Sequence, residues 1–171
     1  MPNSTLTPIN IYTDGACTGN PGPGGYGVII VQDGQRKELS QGYRLTTNNR
    51  MELLAAIVGL KSIPPGARVR LHTDSKYLSD AINLGWLDIW RAKNWKKTGK
   101  GKVLNPDLWK ELVEQLDQHE VELIWVKGHA GHPENERCDQ LAVQASRQKK
   151  LLVDQGYEQS QAQSNQQPGL F

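Results

Sequence analysis

The sequence has little of what a disulfide-stabilised or membrane-embedded protein needs. Two of its 171 residues are cysteine, which excludes a small scaffold held together by many disulfides. The longest apolar run, Leu53 to Leu60, is far shorter than the roughly 20 residues of a membrane span. The N-terminus shows no basic start followed by an apolar stretch, so we expect no secretory signal and a soluble, cytoplasmic protein.

Charge and composition change along the chain. The net charge is +2, from 20 basic and 18 acidic residues, and by itself says little about a partner. Residues 91–102, however, contain six cations and no acid. From about Leu151 the chain is rich in glutamine and has too little apolar surface to offset its ordering entropy. We therefore expect one folded domain over residues 1–150 and a disordered tail over residues 151–171.

Short runs rich in β-branched residues predict five strands, at residues 9–13, 28–31, 36–43, 67–73 and 120–126. A stretch rich in glycine and proline, residues 19–27, predicts a loop after the first strand. The segments after the third strand predict helices, one before the fourth strand, two before the fifth and one at the end. This order predicts an α/β fold with a five-stranded mixed sheet, three antiparallel strands then two parallel ones, and helices on both faces.

Two of the predicted strands end in similar tripeptides, Thr13-Asp14-Gly15 and Thr73-Asp74-Ser75. A single aspartate at a strand end is most often a turn or a helix cap. In an open α/β sheet, however, ligands bind beyond the carboxyl ends of the strands. If the first and fourth strands are neighbours, Asp14 and Asp74 meet there.

Two further acids could join this pair. Glu52 lies early in the first helix and Asp139 in the last one. Alternatively, Glu52 is a capping partner of Asn49 or a solvated residue, and Asp139 is an exposed helical acid. Carboxylates that converge without cations repel each other. Such a cluster therefore suits Mg²⁺ or Mn²⁺, two of which can clamp a phosphodiester and activate the attacking water.

Four blocks of the sequence resemble, in order, those of bacterial type 1 ribonuclease H. They are TDGACTGNPGPGGYG, TTNNRMELLAAI, TDSKYL and VKGHAGHPENERCDQLA, within residues 9–147. The resemblance implies a ribonuclease H-like fold and hydrolysis of the RNA strand of RNA–DNA hybrids, leaving 5′-phosphate and 3′-hydroxyl ends. It also implies a role in removing primers and R-loops. We expect a monomer.

The resemblance also implies roles for individual residues. Two metal ions, Mg²⁺ with Mn²⁺ as an alternative, would be held by Asp14, Glu52, Asp74 and Asp139. His129 would move a proton or assist product release, although a loop histidine with a local hydrogen bond is the simpler interpretation.

Contacts to the hybrid are implied for short polar side chains, Asn20, Thr47, Asn48 and Asn49. Lys76 stands where the family pattern leads us to expect glutamine, so a phosphate contact is expected there. The segment at about residues 86–105 looks like the family's basic protrusion, and its cations suit backbone phosphates. The lysines assigned to this contact are Lys93, Lys96 and Lys97. The tryptophans Trp86, Trp90 and Trp95 could equally form its packing core or stack on bases.

Several other interpretations are excluded or less favoured. Gly22–Gly27 matches the dinucleotide pattern G-x-G-x-x-G, but a strand follows it where that motif needs a helix. His129, His132 and Cys138 have neither a fourth ligand nor the usual spacing for zinc. Cys17 and Cys138 are expected to be free thiols. The remaining alternatives are a catalytically inactive hybrid-binding protein and another nuclease on the same fold.

The C-terminus is similar to the Q-x-x-L-F peptide by which many bacterial replication proteins dock on the sliding clamp. The matching residues are Gln167, Leu170 and Phe171, and Phe171 is the only phenylalanine of the chain. A tether that ends in two apolar anchors suits docking of this kind. The hypothesis fails if removing residues 167–171 leaves binding to purified clamp unchanged.

Overall fold

The computed structural model describes residues 7–95, 103–127 and 131–165. Five strands form one sheet: β1 (Ile9–Cys17), β2 (Gly22–Gln32), β3 (Gln35–Thr46), β4 (Arg68–Thr73) and β5 (Glu120–Trp125). The helices of these ranges are α1 (Asn48–Lys61), α2 (Lys76–Asn83), α3 (Trp86–Ala92), α4 (Pro106–Gln118), α5 (Pro133–Ser146) and α6 (Gln155–Asn165). Across the described part of the chain, no helix is long and apolar enough to cross a membrane.

The sheet has the mixed topology that the sequence predicts. Its strand order is β3-β2-β1-β4-β5. β2 pairs antiparallel with β1 and with β3, whereas β4 pairs parallel with β1 and with β5. β1 therefore lies at the centre, between the antiparallel and the parallel half, and the predicted fold class is confirmed.

Helices cover both faces of the sheet because side chains alternate along each strand. In β2, Val28 and Ile30 face the main core, which also contains Met51 and Leu53 of α1. Ile29 points to the opposite face and packs with residues of α5. Each face of the central strands is therefore buried under a different helix.

The glycine-rich stretch predicted as a loop belongs largely to a strand. β2 begins at Gly22 and continues through Gly27. A Cβ atom on Gly27 would lie 2.3 Å from the carbonyl oxygen of Cys138 in α5. The glycine is needed here because the helix backbone lies directly on the strand, and a turn is not the reason. The dinucleotide interpretation of this stretch is excluded again, since its glycines lie within a β-strand.

The C-terminal region differs from the predicted disordered tail. The backbone N–H of Arg44 donates to the carbonyl of Leu152 at 2.9 Å, and the N–H of Leu152 donates to Gly42 at 3.0 Å. Asp154 is buried, and helix α6 follows it. Composition indicates disorder because this segment has few apolar residues, but here ionic and backbone contacts replace apolar burial. Residues 166–171, with the proposed clamp-docking residues, lie outside the described ranges.

A buried arginine joins the C-terminal region to the domain. The Arg50 guanidinium, from α1, lies 2.8 Å from Asp154 and 2.7 Å from Asp107 of α4. Thr46 donates a further hydrogen bond to Asp154 at 2.7 Å. A buried guanidinium needs such partners because an unpaired buried charge is strongly destabilising.

We expect Asp154→Ala to lower the free energy of unfolding by about 3 kcal/mol. This value is near the lower limit for breaking a buried ion pair, because Arg50 would still have Asp107 as an ion-pair partner. Urea denaturation measures the change. The matched control is Glu158→Gln, which breaks the exposed ion pair with Arg44 and should leave the midpoint almost unchanged. Equal midpoints for the two variants would contradict the structural role of Asp154.

Candidate active site

Strand pairing brings two of the predicted acids together. β1 and β4 are parallel neighbours with Tyr12 opposite His72, so Asp14 and Asp74 each follow two residues later on the same side. The Thr13 hydroxyl donates to the carbonyl of His72 at 3.2 Å, which joins the two strands next to the acids. The predicted meeting of Asp14 and Asp74 at the carboxyl ends of β1 and β4 is therefore observed.

The third acid, Glu52, reaches the pair because α1 packs closely against β1. A Cβ atom on Gly15 would lie 2.7 Å from the backbone nitrogen of Glu52, so only glycine permits this approach. The α1 N-cap is Thr47, whose hydroxyl accepts a hydrogen bond from the N–H of Arg50. Glu52 is 5% exposed. It is therefore neither a capping partner of Asn49 nor a solvated residue.

Asp14, Glu52 and Asp74 form a compact carboxylate cluster. One oxygen from each lies within 4.8 Å of the others. Gly15 donates its N–H to Oδ1 of Asp14 at 2.9 Å. Oδ2 of Asp14 and Oε2 of Glu52 are buried, and neither has a hydrogen-bond partner within the described residues. Buried carboxylate oxygens without partners are costly, and a divalent cation satisfies them, so the cluster fits a hard metal ion.

The environment disfavours negative charge on these groups. The pKa of Asp14 is raised from 3.8 to about 8, chiefly by burial and then by the nearby charges of Asp74 and Asp139. Burial also raises the pKa of Glu52 well above its usual value, followed by the charges of Asp14 and Asp74. Asp139, on α5, is half-buried. It acts on Asp14 through its charge, but it is not part of the compact three-residue cluster.

The predicted hybrid contacts lie in part around the beginning of α1. The N–H of Asn48 donates to Oδ1 of Asn20 at 2.9 Å, so a residue of the turn after β1 meets the helix. Asn20, Thr47 and Asn49 line one groove, whereas Asn48 is not among its lining residues. The structure thus gathers the four short polar residues in one region.

Lys76 and Trp125 flank the acidic cluster. Lys76 is the first residue of α2, and its Nζ lies 5.8 Å from the centroid of the Trp125 ring. The Trp125 indole N–H donates to the carbonyl of Asp74 at 3.2 Å, and the side chain remains 42% exposed. Sequence reasoning missed Trp125 because it directly follows Leu123 and Ile124 and looks like a core residue.

The predicted basic segment is only partly described. Lys93 is exposed directly after α3, whereas Lys96, Lys97 and the predicted proton-transfer residue His129 lie outside the described ranges. The ring of Trp90 packs against Trp109 at 5.3 Å and against Trp86 at 6.2 Å. This packing favours the structural interpretation of these two tryptophans. Cys17 and Cys138 are free thiols, as expected.

A family model described as RNase H matches residues 7–147. The chain belongs to the ribonuclease H family. Ribonuclease H of Trichodesmium erythraeum is 57% identical over 152 residues, which are 89% of this chain and 97% of the relative. Ribonuclease HI of Synechocystis is 50% identical over 155 residues, covering 90% and 97%. These bacterial relatives identify the chain as a type 1 ribonuclease H, an enzyme of the family that degrades RNA in RNA–DNA hybrids.

Solved structures of ribonuclease H proteins share the fold. LC9-RNase H1, a type 1 RNase H with the type 2 active-site motif, is 37% identical, with a TM-score of 0.71 over 90% of this chain and 80% of that one. RNase H1 from Halobacterium salinarum is 26% identical, with a TM-score of 0.59 over 81% and 97%. The sheet topology described above is therefore that of the ribonuclease H family.

The pKa of Asp14 predicts how the stability of this ribonuclease H depends on pH without metal. Between pH 3.8 and about 8, the Asp14 carboxyl keeps its proton in the folded state but loses it in the unfolded state. The free energy of unfolding therefore falls as the pH rises through this window. Asp14→Asn removes the titration.

In chelator, the variant should therefore gain stability over the wild type as the pH rises across this window. At the upper end we expect a gain of more than about 1 kcal/mol, because a shift of one pKa unit corresponds to about 1.4 kcal/mol. Urea denaturation at several pH values measures the difference. A difference that stays constant, or that shrinks with rising pH, would contradict the raised pKa.

Proposed function

We propose that the chain is an endonuclease that hydrolyses the RNA strand of RNA–DNA hybrids with two divalent metal ions, Mg²⁺ or alternatively Mn²⁺. The products would carry 5′-phosphate and 3′-hydroxyl ends. The observation that carries the proposal is the convergence of three carboxylates, with two buried oxygens lacking a partner in the described residues, at the carboxyl ends of β1 and β4.

Asp14, Glu52, Asp74 and Asp139 would hold the metal ions. A divalent cation supplies an activated water at neutral pH and stabilises charge on a phosphodiester. The protein holds the carboxylates in place through the Gly15 N–H bond to Asp14 and the close contact between α1 and β1. We propose that His129 moves a proton during the reaction or assists release of the product, since an imidazole suits transfer near neutral pH.

The hybrid would lie over the beginning of α1, beside the carboxylates. Asn20, Thr47, Asn48 and Asn49 offer amide and hydroxyl groups, which can contact 2′-hydroxyl groups and groove edges without reading sequence. Lys76 would contact a phosphate. Its ammonium group lies 5.8 Å from the centroid of the Trp125 ring, and the indole N–H of that ring donates to the Asp74 carbonyl, which supports this assignment.

The acidic cluster also distinguishes the enzyme from a hybrid-binding protein that does not cleave. A binding protein gains nothing from buried carboxylates close to a phosphate backbone, because like charges repel. Removal of RNA primers and R-loops in the cytoplasm, by a monomer, is the biological role we propose. Docking of Gln167, Leu170 and Phe171 on the sliding clamp stays a hypothesis.

Cleavage of a labelled hybrid in Mg²⁺, with duplex RNA and duplex DNA alongside, tests the proposed activity. The wild type should cut the hybrid alone. Asp14→Asn and Glu52→Gln should each reduce the rate by roughly 10³-fold, because the metal contributes several kcal/mol to the transition state. Glu122→Gln, an exposed acid on β5, is the matched control and should cut normally. Full activity in both cluster variants would overturn the proposal.

The basic segment should contribute affinity that depends on salt. Replacing Lys93, Lys96 and Lys97 by alanine removes three cations. Each phosphate contact adds about 0.7–0.9 to the steepness with which the logarithm of the association constant falls against the logarithm of the salt concentration. We expect weaker hybrid binding and a slope smaller by about 2–3. Fluorescence anisotropy at several salt concentrations measures both. A lower affinity with an unchanged slope would show that these lysines do not contact phosphates.

A further inference from the structure

We propose that helix α6 forms a second wall of the groove that binds the hybrid, and that Gln161 and Gln163 contact the nucleic-acid backbone. This inference rests on the proposed function, because the ligand is the same RNA–DNA hybrid. Helix α6 covers Gln155–Asn165 and lies beyond the residues that the family model matches, 7–147. The contact would extend the binding surface beyond the residues that the family model matches.

The helix faces the proposed hybrid contacts across a groove of about 720 Å³. On one side lie Asn20, Thr47 and Asn49, the short polar residues at the beginning of α1. From α6 come Tyr157, Ser160, Gln161 and Gln163, and residues 103–106 complete the lining. A nucleic-acid strand that contacts Asn20 and Thr47 would therefore enter a groove that α6 also lines.

The chemistry of the groove suits a phosphate backbone. Its lining residues in the described ranges carry amide, hydroxyl and apolar groups but no carboxylate. The acids beside it are paired with arginines: Asp107 and Asp154 with Arg50, and Glu158 with Arg44 at 2.8 Å. A phosphate can therefore approach the lining amides, which donate hydrogen bonds to backbone oxygens without distinguishing sequences.

The wall is in place before the substrate arrives. The bridge between Tyr43 and Leu152 fixes the chain in front of α6. The buried pair of Arg50 and Asp154 fixes the residue that precedes the helix. The carbonyl of Asp154 accepts the N–H of Glu158 in its first turn. Because these contacts order the helix in advance, little ordering entropy remains to be lost on binding.

Charge substitutions on α6 test the proposal. Gln161→Glu places a carboxylate in the groove and Gln161→Lys places an ammonium group there. The matched controls are Gln159→Glu and Gln159→Lys, at an exposed position on the same helix that does not line the groove. Dissociation constants come from anisotropy with a labelled hybrid in chelator, and KM and kcat from cleavage in Mg²⁺.

We expect Gln161→Glu to raise the dissociation constant and KM about two- to fivefold and Gln161→Lys to lower both by a similar factor, with kcat unchanged. The Gln159 variants should change these values much less. Since the two charges act in opposite directions, general damage to the fold cannot produce this pattern. Equal shifts at both positions would overturn the proposal, as would tighter binding by Gln161→Glu.

Binding and cleavage measured for the wild type distinguish a failure of this inference from a failure of the proposed function. Cleavage by the wild type, with no difference between substitutions at positions 159 and 161, overturns the role of α6 alone. Binding without cleavage overturns the proposed activity, while the dissociation constants still decide the role of α6. A wild type that does not bind the hybrid overturns both.

Discussion

The structure depends on keeping three carboxyl groups together at a buried site that disfavours their charged forms. Asp14 and Asp74 lie at the ends of two parallel strands and Glu52 lies on a helix, and backbone contacts fix each of these elements. β1 and β4 are held in register by their backbone pairing. α1 rests on Gly15 with no space for a side chain between them. The rest of the domain supplies the free energy that offsets the cost of burying these carboxyl groups together.

The position of Asp14 and Asp74 could be predicted from the sequence because strand ends are local features. Two aspartates that follow strand-like runs meet when the strands are neighbours, and the order of the elements made that pairing the simplest one. Glu52 was harder, since several helix positions near it could have faced the sheet. Its position depends on how closely α1 approaches β1. The sequence indicates that distance only through one glycine, which has other uses in proteins.

The parts that sequence reasoning missed depend on contacts between distant residues. Glycines in a row indicate a loop unless a helix is known to lie against them, and α5 follows β2 by about a hundred residues along the chain. The C-terminal region seemed too polar to fold because composition does not show that Asp154 finds Arg50, 104 residues earlier. Trp125 resembled a core residue, and its exposure becomes visible only at the end of β5.

The single arginine in α1 also sets how far the folded domain extends toward the C-terminus. Arg50 is 3% exposed and is held between Asp107 of α4 and Asp154, which lies after the last residue of the family match. A chain cut at residue 147 would keep all four proposed metal ligands. It would nevertheless leave a buried guanidinium with one carboxylate in place of two. The unit that folds is therefore longer than the stretch that the family model matches, and the C-terminal region is a structural part of the domain.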